Sequence, residues 1–481
     1  MEGLTELYDA RAHWIDGALR PSRGRDLFEV HDPATENVFG VVAGADSEDV
    51  NDAVLAARAA LPAWAEVAAE ERLHLLDNLC DVIESESENF ATLITKEVGA
   101  PIAIAGPAHV GIAVEILRSF ADLGKQFPLQ ERVGNSLLLH EPVGVVSCIT
   151  PWNLPLILIA QKLGAALVAG CTVVLKPSEL TPFNALWLAR CMNEAGYPPG
   201  VFNVVTGDGP TTGESLVQHP EVSKVSFTGS TRAGRRVAEL AAATVKRVGL
   251  ELGGKSANVV LDDGDLEQAI RTGVHQACFN SGQSCIAWSR ILIPSGRSAE
   301  AREVAVEVVS GMKVGDPRDP GTEIGPLVSA AALARVQGYI KSGVEEGAEL
   351  AFGGPERPAG LGRGYFVHPT VFSNVRPDMT IAREEIFGPV VSLISYDGDD
   401  QAVSIANDTQ YGLHGAVWST DEDHAMAVAR RIRTGMVNVN GYGFDPMAPF
   451  GGCKQSGVGR ELGTEGLKEF FETKVVQIFN P

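Results

Sequence analysis

The chain has 481 residues, which predicts about three domains at roughly 150 residues each. Its 39 Lys and Arg residues against 61 Asp and Glu give a formal net charge of −22, so we expect neither a nucleic-acid nor an anionic-membrane partner. Seven cysteines without a Cys-x-x-Cys pair, and a start without a basic and apolar signal segment, predict a reducing compartment, the cytoplasm, and no metal site.

Short runs of Val, Ile and Leu alternate with amphipathic helices along most of the chain. The first series is preceded by predicted surface helices at 46–65 and 70–88. Its predicted strands are 143–150, 172–175, 202–205, 224–227 and 247–250, and its predicted helices are 156–169, 184–194, 212–217 and 232–242. A second series begins with strand 258–261, helix 266–280 and strand 290–293. This order predicts an α/β protein whose mostly parallel sheets are covered by helices on both faces.

Three segments need separate interpretations. Residues 127–141 and the tail at 474–479 contain alternating and β-branched residues, which predict strands that extend outward. An extended strand pair with an apolar face usually needs a partner. The longest apolar stretch, 156–175, is interrupted by Gln161 and Lys162 and by glycines, and we interpret it as helix, turn and buried strand rather than as a membrane span.

Three side chains form a candidate catalytic set. Cys285 lies in the run Asn-Ser-Gly-Gln-Ser-Cys-Ile-Ala, which is a poor core segment but suits an exposed thiol that attacks a carbonyl carbon. Glu251 stands between two leucines and before two glycines, which favours a carboxylate at a strand end directed into a cleft. The amide of Asn153 is suited to hold a developing oxyanion. The ordinary alternatives stay open: a buried cysteine, a surface carboxylate and a helix cap.

A glycine-containing turn follows the predicted strand 224–227. Gly229 and Gly234 flank the start of the next helix, where free N–H groups and the helix dipole suit a pyrophosphate. Lys176 and Glu179 follow a neighbouring strand. Plain turn glycines and a solvated ion pair are the alternative interpretations, because the turn departs from the Gly-x-Gly-x-x-Gly fingerprint.

A set of motifs carries a family resemblance. They are Ile149-Thr-Pro-Trp-Asn-Leu-Pro155, Leu175-Lys-Pro-Ser-Glu179, Phe227-Thr-Gly-Ser-Thr231, Glu251-Leu-Gly-Gly-Lys-Ser256, Gly282-Gln-Ser-Cys285, Glu384-Glu-Ile-Phe-Gly-Pro389 and Pro449-Phe-Gly-Gly452. Each motif alone is short and weak evidence, whereas all of them in the same order are specific. The chain resembles the NAD(P)-dependent aldehyde dehydrogenase superfamily, of the hydrolytic, non-acylating type, over essentially its whole length.

This resemblance implies a domain organisation. The fold would consist of two parallel-sheet Rossmann-like domains plus a small β oligomerisation arm. Residues 1–120 and 143–253 would form the NAD-binding domain, and 254–453 the catalytic domain that carries the nucleophilic cysteine. Residues 121–142 and 466–481 would supply the oligomerisation strands, so the resemblance implies a homodimer or homotetramer.

The resemblance also implies a reaction, the oxidation of an aldehyde to the carboxylic acid with NAD, or NADP, as acceptor. Cys285 would form a thiohemiacetal and then a thioester, and Asn153 would hold the oxyanion. Glu251 would activate the hydrolytic water, which suits a carboxylate with a raised pKa. Lys162 and Glu461 match positions that support this carboxylate or its proton path, although a structural ion pair is the alternative for Glu461.

The implied cofactor site draws on both series of elements. Glu179 would accept hydrogen bonds from the adenosine ribose and repel a 2′-phosphate, which favours NAD over NADP. Glu385 and Phe387 would contact the nicotinamide side. The implied cofactor residues are Ile149, Thr150, Pro151, Trp152, Lys176, Ser178, Glu179, Gly209, Phe227, Thr228, Gly229, Ser230, Gly234, Leu252, Gly253, Glu385 and Phe387.

The implied aldehyde tunnel is mostly apolar, which suits aliphatic or aromatic aldehydes. Its lining carries no arginine to bind a second carboxylate, and Trp288 and Tyr442 alone do not establish the aromatic cage that betaine aldehyde would need. The implied substrate residues are Leu154, Ile157, Leu158, Gln161, Ser284, Ile286 and Phe450.

Three other functions remain open at this point. A coenzyme-A-acylating relative needs no water-activating base, so Glu251 counts against it. A non-catalytic NAD-binding or structural homologue is a second alternative, and the presence of Cys285, Glu251 and Asn153 counts against it. A cysteine hydrolase that works without nicotinamide would use His275 as its base, although a helix-surface histidine is the simpler interpretation of that residue.

Overall fold

The computed structural model describes residues 4–479, and the domain limits predicted for residues 1–3 and 480–481 lie outside them. The strands in chain order are β1 Asp9–Ala10, β2 Ala12–Ile15, β3 Ala18–Pro21, β4 Leu27–Asp32, β5 Asn37–Ala43, β6 Gln130–Val133, β7 Ser136–Pro142, β8 Val145–Ile149, β9 Thr172–Lys176, β10 Phe202–Val204, β11 Val222–Thr228, β12 Arg247–Glu251, β13 Ala257–Val260, β14 Arg290–Pro294, β15 Glu349–Phe352, β16 Thr370–Ser373, β17 Val390–Tyr396, β18 Gly415–Trp418, β19 Asn438–Val439, β20 Gly457–Val458 and β21 Phe471–Gln477. The helices are α1 Leu4–Leu7, α2 Ser47–Ala65, α3 Ala69–Ser85, α4 Ser87–Val98, α5 Ile102–Ile104, α6 Ile112–Gln126, α7 Pro155–Ala169, α8 Phe183–Glu194, α9 Glu214–Gln218, α10 Thr231–Ala242, α11 Leu266–Cys278, α12 Ser298–Gly311, α13 Ala330–Glu345, α14 Thr380–Arg383, α15 Asp399–Asn407, α16 Glu422–Ala429 and α17 Gly463–Lys468.

The first sheet has the strand order β20-β12-β11-β8-β9-β10-β2-β3. Strands β12, β11, β8, β9 and β10 are parallel, and the outer strands β20, β2 and β3 are antiparallel to their neighbours. Helices cover both faces: Val173 and Leu175 of β9 pack into one apolar core, while Val174 packs into the other. This two-sided burial explains the continuous apolar runs in the sequence.

The second sheet has the order β15-β16-β17-β14-β13-β18-β19, and only β15 is antiparallel. Its two faces also belong to separate cores, since Val259 packs on one side and Val260 on the other. The predicted α/β class with two parallel-sheet units is therefore confirmed.

Two small sheets complete the fold. Strands β21, β7 and β6 form an antiparallel sheet from the segments predicted to extend outward. Strands β1, β5 and β4 form another, which the sequence analysis did not predict. Strand β21 covers Phe471–Gln477 rather than the predicted 474–479, and most of its side chains are exposed.

Several element limits differ from the prediction for identifiable reasons. Helix α11 ends at Cys278 rather than at residue 280, because Asn280 has a left-handed backbone with φ of 52°. The predicted helix 212–217 is a π-helical turn followed by α9. The helix predicted from residue 46 begins one residue later, since Asp46 caps its N-terminus by accepting the N–H groups of Glu48 and Asp49.

The helical run Ile102–Gln126, which contains a π-helical segment, has the length and hydropathy of a membrane-spanning helix. Its residues Ile116, Leu117 and Phe120 are buried in the core that α6 shares with α3 and α7. The apolar face of this run is thus used in packing within the chain.

Candidate active site

The two large sheets face each other across a cleft through opposite edges. The carboxyl ends of β8, β9, β11 and β12 lie in register at one edge of the first sheet. The second sheet presents the amino ends of β13, β14 and β18, which are also in register. A cavity of about 610 Å³ lies in the cleft, a volume in the range of cofactor sites.

A left-handed turn carries the predicted nucleophile. Asn280, Ser281 and Gly282 have φ values of 52°, 59° and 72°, and Cys285 follows before β14. The hydroxyl of Ser281 donates to the Gly325 carbonyl at 2.9 Å, which holds the turn in this uncommon conformation. Only glycine fits at position 282, because a Cβ atom there would lie 2.2 Å from the Gly388 carbonyl carbon.

The predicted oxyanion donor is tied to the same turn. Asn153 Nδ2 donates to the Gln283 carbonyl at 3.0 Å, and Asn280 Nδ2 donates to the Asn153 carbonyl at 3.0 Å. Gln283 is held from the other side, since its Oε1 accepts the Val328 N–H at 2.9 Å. A side-chain amide has two N–H groups, so Asn153 keeps one for a ligand while the other fixes its position.

Cys285 is partly exposed and borders the cavity. Burial of the thiol, followed by the negative charges of Glu385 and Glu251, raises the pKa of Cys285 to about 12. This environment disfavours the thiolate. Its attack on a carbonyl carbon requires that a nearby base or cation assist the loss of the proton.

Glu251 ends β12 as a buried carboxyl group. Its Oε1 atom lies against the backbone of Gly451, where a Cβ atom would approach to 2.4 Å, and its Oε2 atom has no hydrogen-bond partner within residues 4–479. Burial, followed by repulsion from Glu461, raises the pKa of Glu251 well above its usual value, while Lys162 opposes this shift. The site thus holds a basic carboxylate with a free acceptor oxygen.

Lys162 and Glu461 form an ion pair behind Glu251. The ammonium group of Lys162 is fully buried, pairs with Glu461 and donates to Thr228 Oγ1 at 2.6 Å. Ser226 Oγ donates to the paired Glu461 oxygen at 3.3 Å. The structure therefore brings both predicted support residues into the electrostatic environment of the base.

The predicted ribose residues lie beyond β9. Lys176 Nζ donates to the carbonyl groups of Pro177 and Gly207 at 2.8 and 2.7 Å, and it lies 3.9 Å from Glu179 Oε2. Glu179 lines the cavity. Its carboxylate can therefore accept hydrogen bonds from a ligand inside the cavity.

Glu385 and Phe387 close the cavity from the second sheet. Glu385 Oε1 accepts the Gly254 N–H at 2.9 Å, and a Cβ atom on Gly253 would lie 2.5 Å from Glu385 Oε2. Phe387 stands edge-on to Trp152, with ring centroids 5.3 Å apart. These contacts join the two sheets across the cleft.

The cavity gathers many, but not all, of the residues predicted for the site. Its predicted lining residues are Pro151, Trp152, Asn153, Leu158, Glu179, Thr228, Gly229, Ser230, Leu252, Gly253, Cys285, Glu385 and Phe387. The other predicted residues are not among its lining: Ile149, Thr150, Lys176, Ser178, Gly209, Phe227, Gly234, Glu251, Lys162, Glu461, Leu154, Ile157, Gln161, Ser284, Ile286 and Phe450. Gly234, for example, packs on Leu252, where a Cβ atom would approach Cδ2 to 2.5 Å.

Several side chains implied for the aldehyde tunnel share an apolar core with Cys285. Leu154 and Ile286 are partly exposed and pack against the same core as Ile157 and Phe450. Gln161 is buried on α7, and its Oε1 atom has no partner in the described chain. The residues implied for the tunnel thus combine apolar side chains with one buried amide group.

Further lining residues were missed by the sequence analysis. They are Leu180, Arg232, Val328, Ser329, Ala331, Ala332 and Arg335. Most come from the start of α13, where Ser329 caps the helix by accepting the Ala332 N–H. The serine before an apolar helix was a detectable signal for a helix start, but nothing nearby in the sequence indicated that this terminus meets the cavity.

Comparison with known proteins gives a consistent result. Residues 19–476 match the model of the family described as "Aldehyde dehydrogenase family". The 3-succinoylsemialdehyde-pyridine dehydrogenase of Pseudomonas sp is 49% identical over 97% of this chain and 98% of the relative.

Solved structures agree with this match. The crystal structure of a mutant of aldehyde dehydrogenase C from Pseudomonas syringae, complexed with NAD⁺ and octanal, has a TM-score of 0.96 and 45% identity, and it covers 97% of this chain and 96% of that one. The Mycobacterium tuberculosis aldehyde dehydrogenase complexed with NAD⁺ has a TM-score of 0.95 and 41% identity, with 98% of each chain covered.

Proposed function

The chain belongs to the aldehyde dehydrogenase family, and on that premise we propose that it oxidises an aldehyde to the carboxylic acid by the hydrolytic route. It is an NAD-dependent oxidoreductase. The proposed reaction converts an aldehyde, water and NAD⁺ to a carboxylic acid, NADH and a proton. The observation that carries the hydrolytic route is Glu251, a buried carboxyl group with a raised pKa and an unpartnered oxygen.

The residues present suit NAD. At the strand ends of the first sheet, the Gly229 N–H donates to the Glu251 carbonyl at 3.0 Å, so the Ser230 N–H, next to the start of α10, would serve the pyrophosphate. Glu179 would accept hydrogen bonds from the adenosine ribose, and Glu385 with Phe387 would hold the nicotinamide side. When bound, NAD supplies a hydride acceptor at its nicotinamide ring.

In the first stage the Cys285 sulfur bonds to the aldehyde carbon, and the thiol proton passes to water as the proton of the overall reaction. The carbonyl oxygen becomes an oxyanion, which accepts hydrogen bonds from Asn153 Nδ2 and from the backbone N–H of Cys285. One such donor typically contributes about 3 kcal/mol to the barrier reduction. Loss of hydride from the tetrahedral carbon restores the carbonyl group as a thioester.

In the second stage Glu251 takes a proton from water, and the water oxygen attacks the thioester. The carbon–sulfur bond breaks, the acid leaves, and the sulfur takes up the proton that Glu251 received from the water. The ion pair of Lys162 and Glu461 would tune the basicity of Glu251. A coenzyme-A-acylating enzyme would not need this base, since another thiol accepts the acyl group.

The proposal is tested by NADH formation from a panel of aliphatic and aromatic aldehydes, with NAD, NADP and added coenzyme A in separate assays. The native enzyme should turn over without coenzyme A, and Cys285→Ala should be inactive. Glu251→Gln should release about one NADH per site in a burst and then turn over at least about 100-fold more slowly. Turnover of Glu251→Gln that coenzyme A restores to the native rate would instead support the acylating route.

We propose an aliphatic or aromatic aldehyde without a second carboxylate as substrate. The apolar surroundings of Cys285, with Leu154 and Ile286, support this class. So do a relative named for 3-succinoylsemialdehyde-pyridine and another complexed with octanal. The substrate panel should therefore include a medium-chain alkyl aldehyde and an aryl-substituted one.

We also propose a homodimer or homotetramer assembled through the sheet of β6, β7 and β21. Val133 and Val475 on this sheet are 57% and 55% exposed, and an exposed apolar strand commonly pairs with another chain. A cytoplasmic location is likewise a proposal, supported by cysteines that are all free thiols in the described chain.

A further inference from the structure

The turn that carries Cys285 is held on both sides, and only one side belongs to the recognised motifs. Before the cysteine, Gln283 is fixed by Asn153 and by the Val328 N–H. After it, the chain makes a short turn in which the Ala287 N–H donates to the Ser284 carbonyl at 3.2 Å. On this second side the turn is anchored by the side chain of Trp288, which has 0% exposure.

Trp288 is held by an imidazole from another strand. Its indole Nε1 donates to His414 Nδ1 at 2.9 Å, and the two rings lie 5.7 Å apart with an interplanar angle of 35°. His414 immediately precedes β18, whose first residue is in register with the start of β13. The histidine thus links the nucleophile turn to the edge of the second sheet.

The hydrogen bonds determine the tautomer of His414. An indole N–H only donates, so His414 Nδ1 must be the acceptor and the imidazole proton is on Nε2. That nitrogen lies 3.0 Å from Asn438 Oδ1 and donates to it. Burial also lowers the pKa of His414, which favours this neutral form. The relay therefore runs in one direction, from Trp288 through His414 to Asn438.

The far end of this relay leads back to Trp288. Asn438 begins β19, and the chain continues from there into the loop that carries Tyr442. The Tyr442 ring stands edge-on to Trp288 at 5.6 Å and 85°. Trp288 is thus the common contact of the nucleophile turn, His414 and Tyr442.

We propose that His414 is a positioning residue for the nucleophile: its imidazole fixes Trp288, and through Trp288 it sets the place of Cys285 relative to Asn153 and to the Tyr442 loop. This proposal rests on the proposed function, because the positioning serves the attack on the aldehyde. Small errors in the placement of a reacting atom reduce rates strongly, so loss of the relay should slow the first stage while the fold persists.

The chain offers a matched control for the test. Trp418 is also buried, at 2% exposure, and its indole Nε1 donates to Asn258 Oδ1 at 2.6 Å. It ends β18, whereas His414 lies before the beginning of the same strand. Trp288→Phe and Trp418→Phe each remove one buried indole donor, but only the first lies beside the thiol.

The measurements are the rate of the single-turnover NADH burst at saturating NAD and the rate of Cys285 alkylation by iodoacetamide, with thermal unfolding alongside. Trp288→Phe and His414→Leu should slow both rates about tenfold, the size of one well-placed hydrogen bond. Trp418→Phe should leave both rates within about twofold of the native values. His414→Gln, which keeps one acceptor and one donor, should recover most of the loss.

Two outcomes would overturn the proposal. The first is that Trp288→Phe and Trp418→Phe lower thermal stability alike and leave both rates unchanged, which would make the relay merely structural. The second is that His414→Gln is as slow as His414→Leu. Failure of the proposed function would be visible separately, as the lack of a burst in the native enzyme, while alkylation still reports on the turn.

Discussion

Gly282→Ala tests whether the left-handed turn places the nucleophile. At φ of 72° an alanine has the backbone strain of the left-handed region, which costs about 1–2 kcal/mol. The added methyl group would also lie 2.2 Å from the Gly388 carbonyl carbon, so backbone must move. Overpacking of this kind costs about 1–3 kcal/mol more, and the total is about 2–5 kcal/mol of local stability.

Gly347→Ala separates the two contributions. Gly347 has φ of 90° after α13, and a Cβ atom there would meet nothing within 4 Å. It therefore carries the backbone strain without the collision. The measurements are the urea unfolding midpoint, the rate of the NADH burst and the alkylation rate of Cys285. The differences between the two variants give the effect of the collision on stability and on the nucleophile.

We expect Gly282→Ala to be less stable than Gly347→Ala and to lose at least about tenfold in burst rate, because the turn displaces Cys285 from Asn153. Gly347→Ala should keep the native burst. Equal destabilisation of the two variants, with a native burst in both, would refute the conclusion that the Gly388 contact determines the position of the thiol.

Other predictions concern the base, the cofactor and the assembly. Burial raises the pKa of Glu251. Since the base acts deprotonated, the rate of thioester hydrolysis should rise with pH through that raised pKa, which gives the pH profile a rising limb. If Glu251→Gln keeps this limb, the limb belongs to another group. Lys162 lowers the pKa of Glu251, so Lys162→Met should move the same rising limb to higher pH. An unchanged limb would mean that Lys162 does not affect the pKa of Glu251. Glu179→Gln should raise the ratio of kcat/KM for NADP to that for NAD by about tenfold, and an unchanged ratio would show that Glu179 does not face the ribose. Val475→Glu should reduce the mass of the particle in light scattering, whereas Val245→Glu, at a position 91% exposed outside the arm, should not; an unchanged mass in both would place the interface elsewhere.

Much of the candidate site was predictable because its residues follow strand ends. Asn153 and Glu179 each stand in a short motif after a buried apolar strand, Glu251 ends a neighbouring strand, and parallel strands bring their carboxyl ends to one edge. Because both faces of the sheets are buried, several strands could also be recognised in the sequence as continuous runs of Val and Leu. The raised pKa of Glu251 was expected, and the resemblance implied support from Lys162 and Glu461, but the contacts that join these distant segments are seen only in the structure.

The sequence by itself determined the α/β class and the family and predicted the catalytic side chains, since local apolar patterns and contiguous motifs carry that information. Only the tertiary structure decided that the start of α13 borders the cavity, that Lys162 pairs with Glu461, and that Trp288 meets His414. Trp288 and His414 are 126 positions apart in the chain, and Lys162 and Glu461 are 299 apart. No local pattern encodes such pairs, because the packing of whole helices and sheets brings them together.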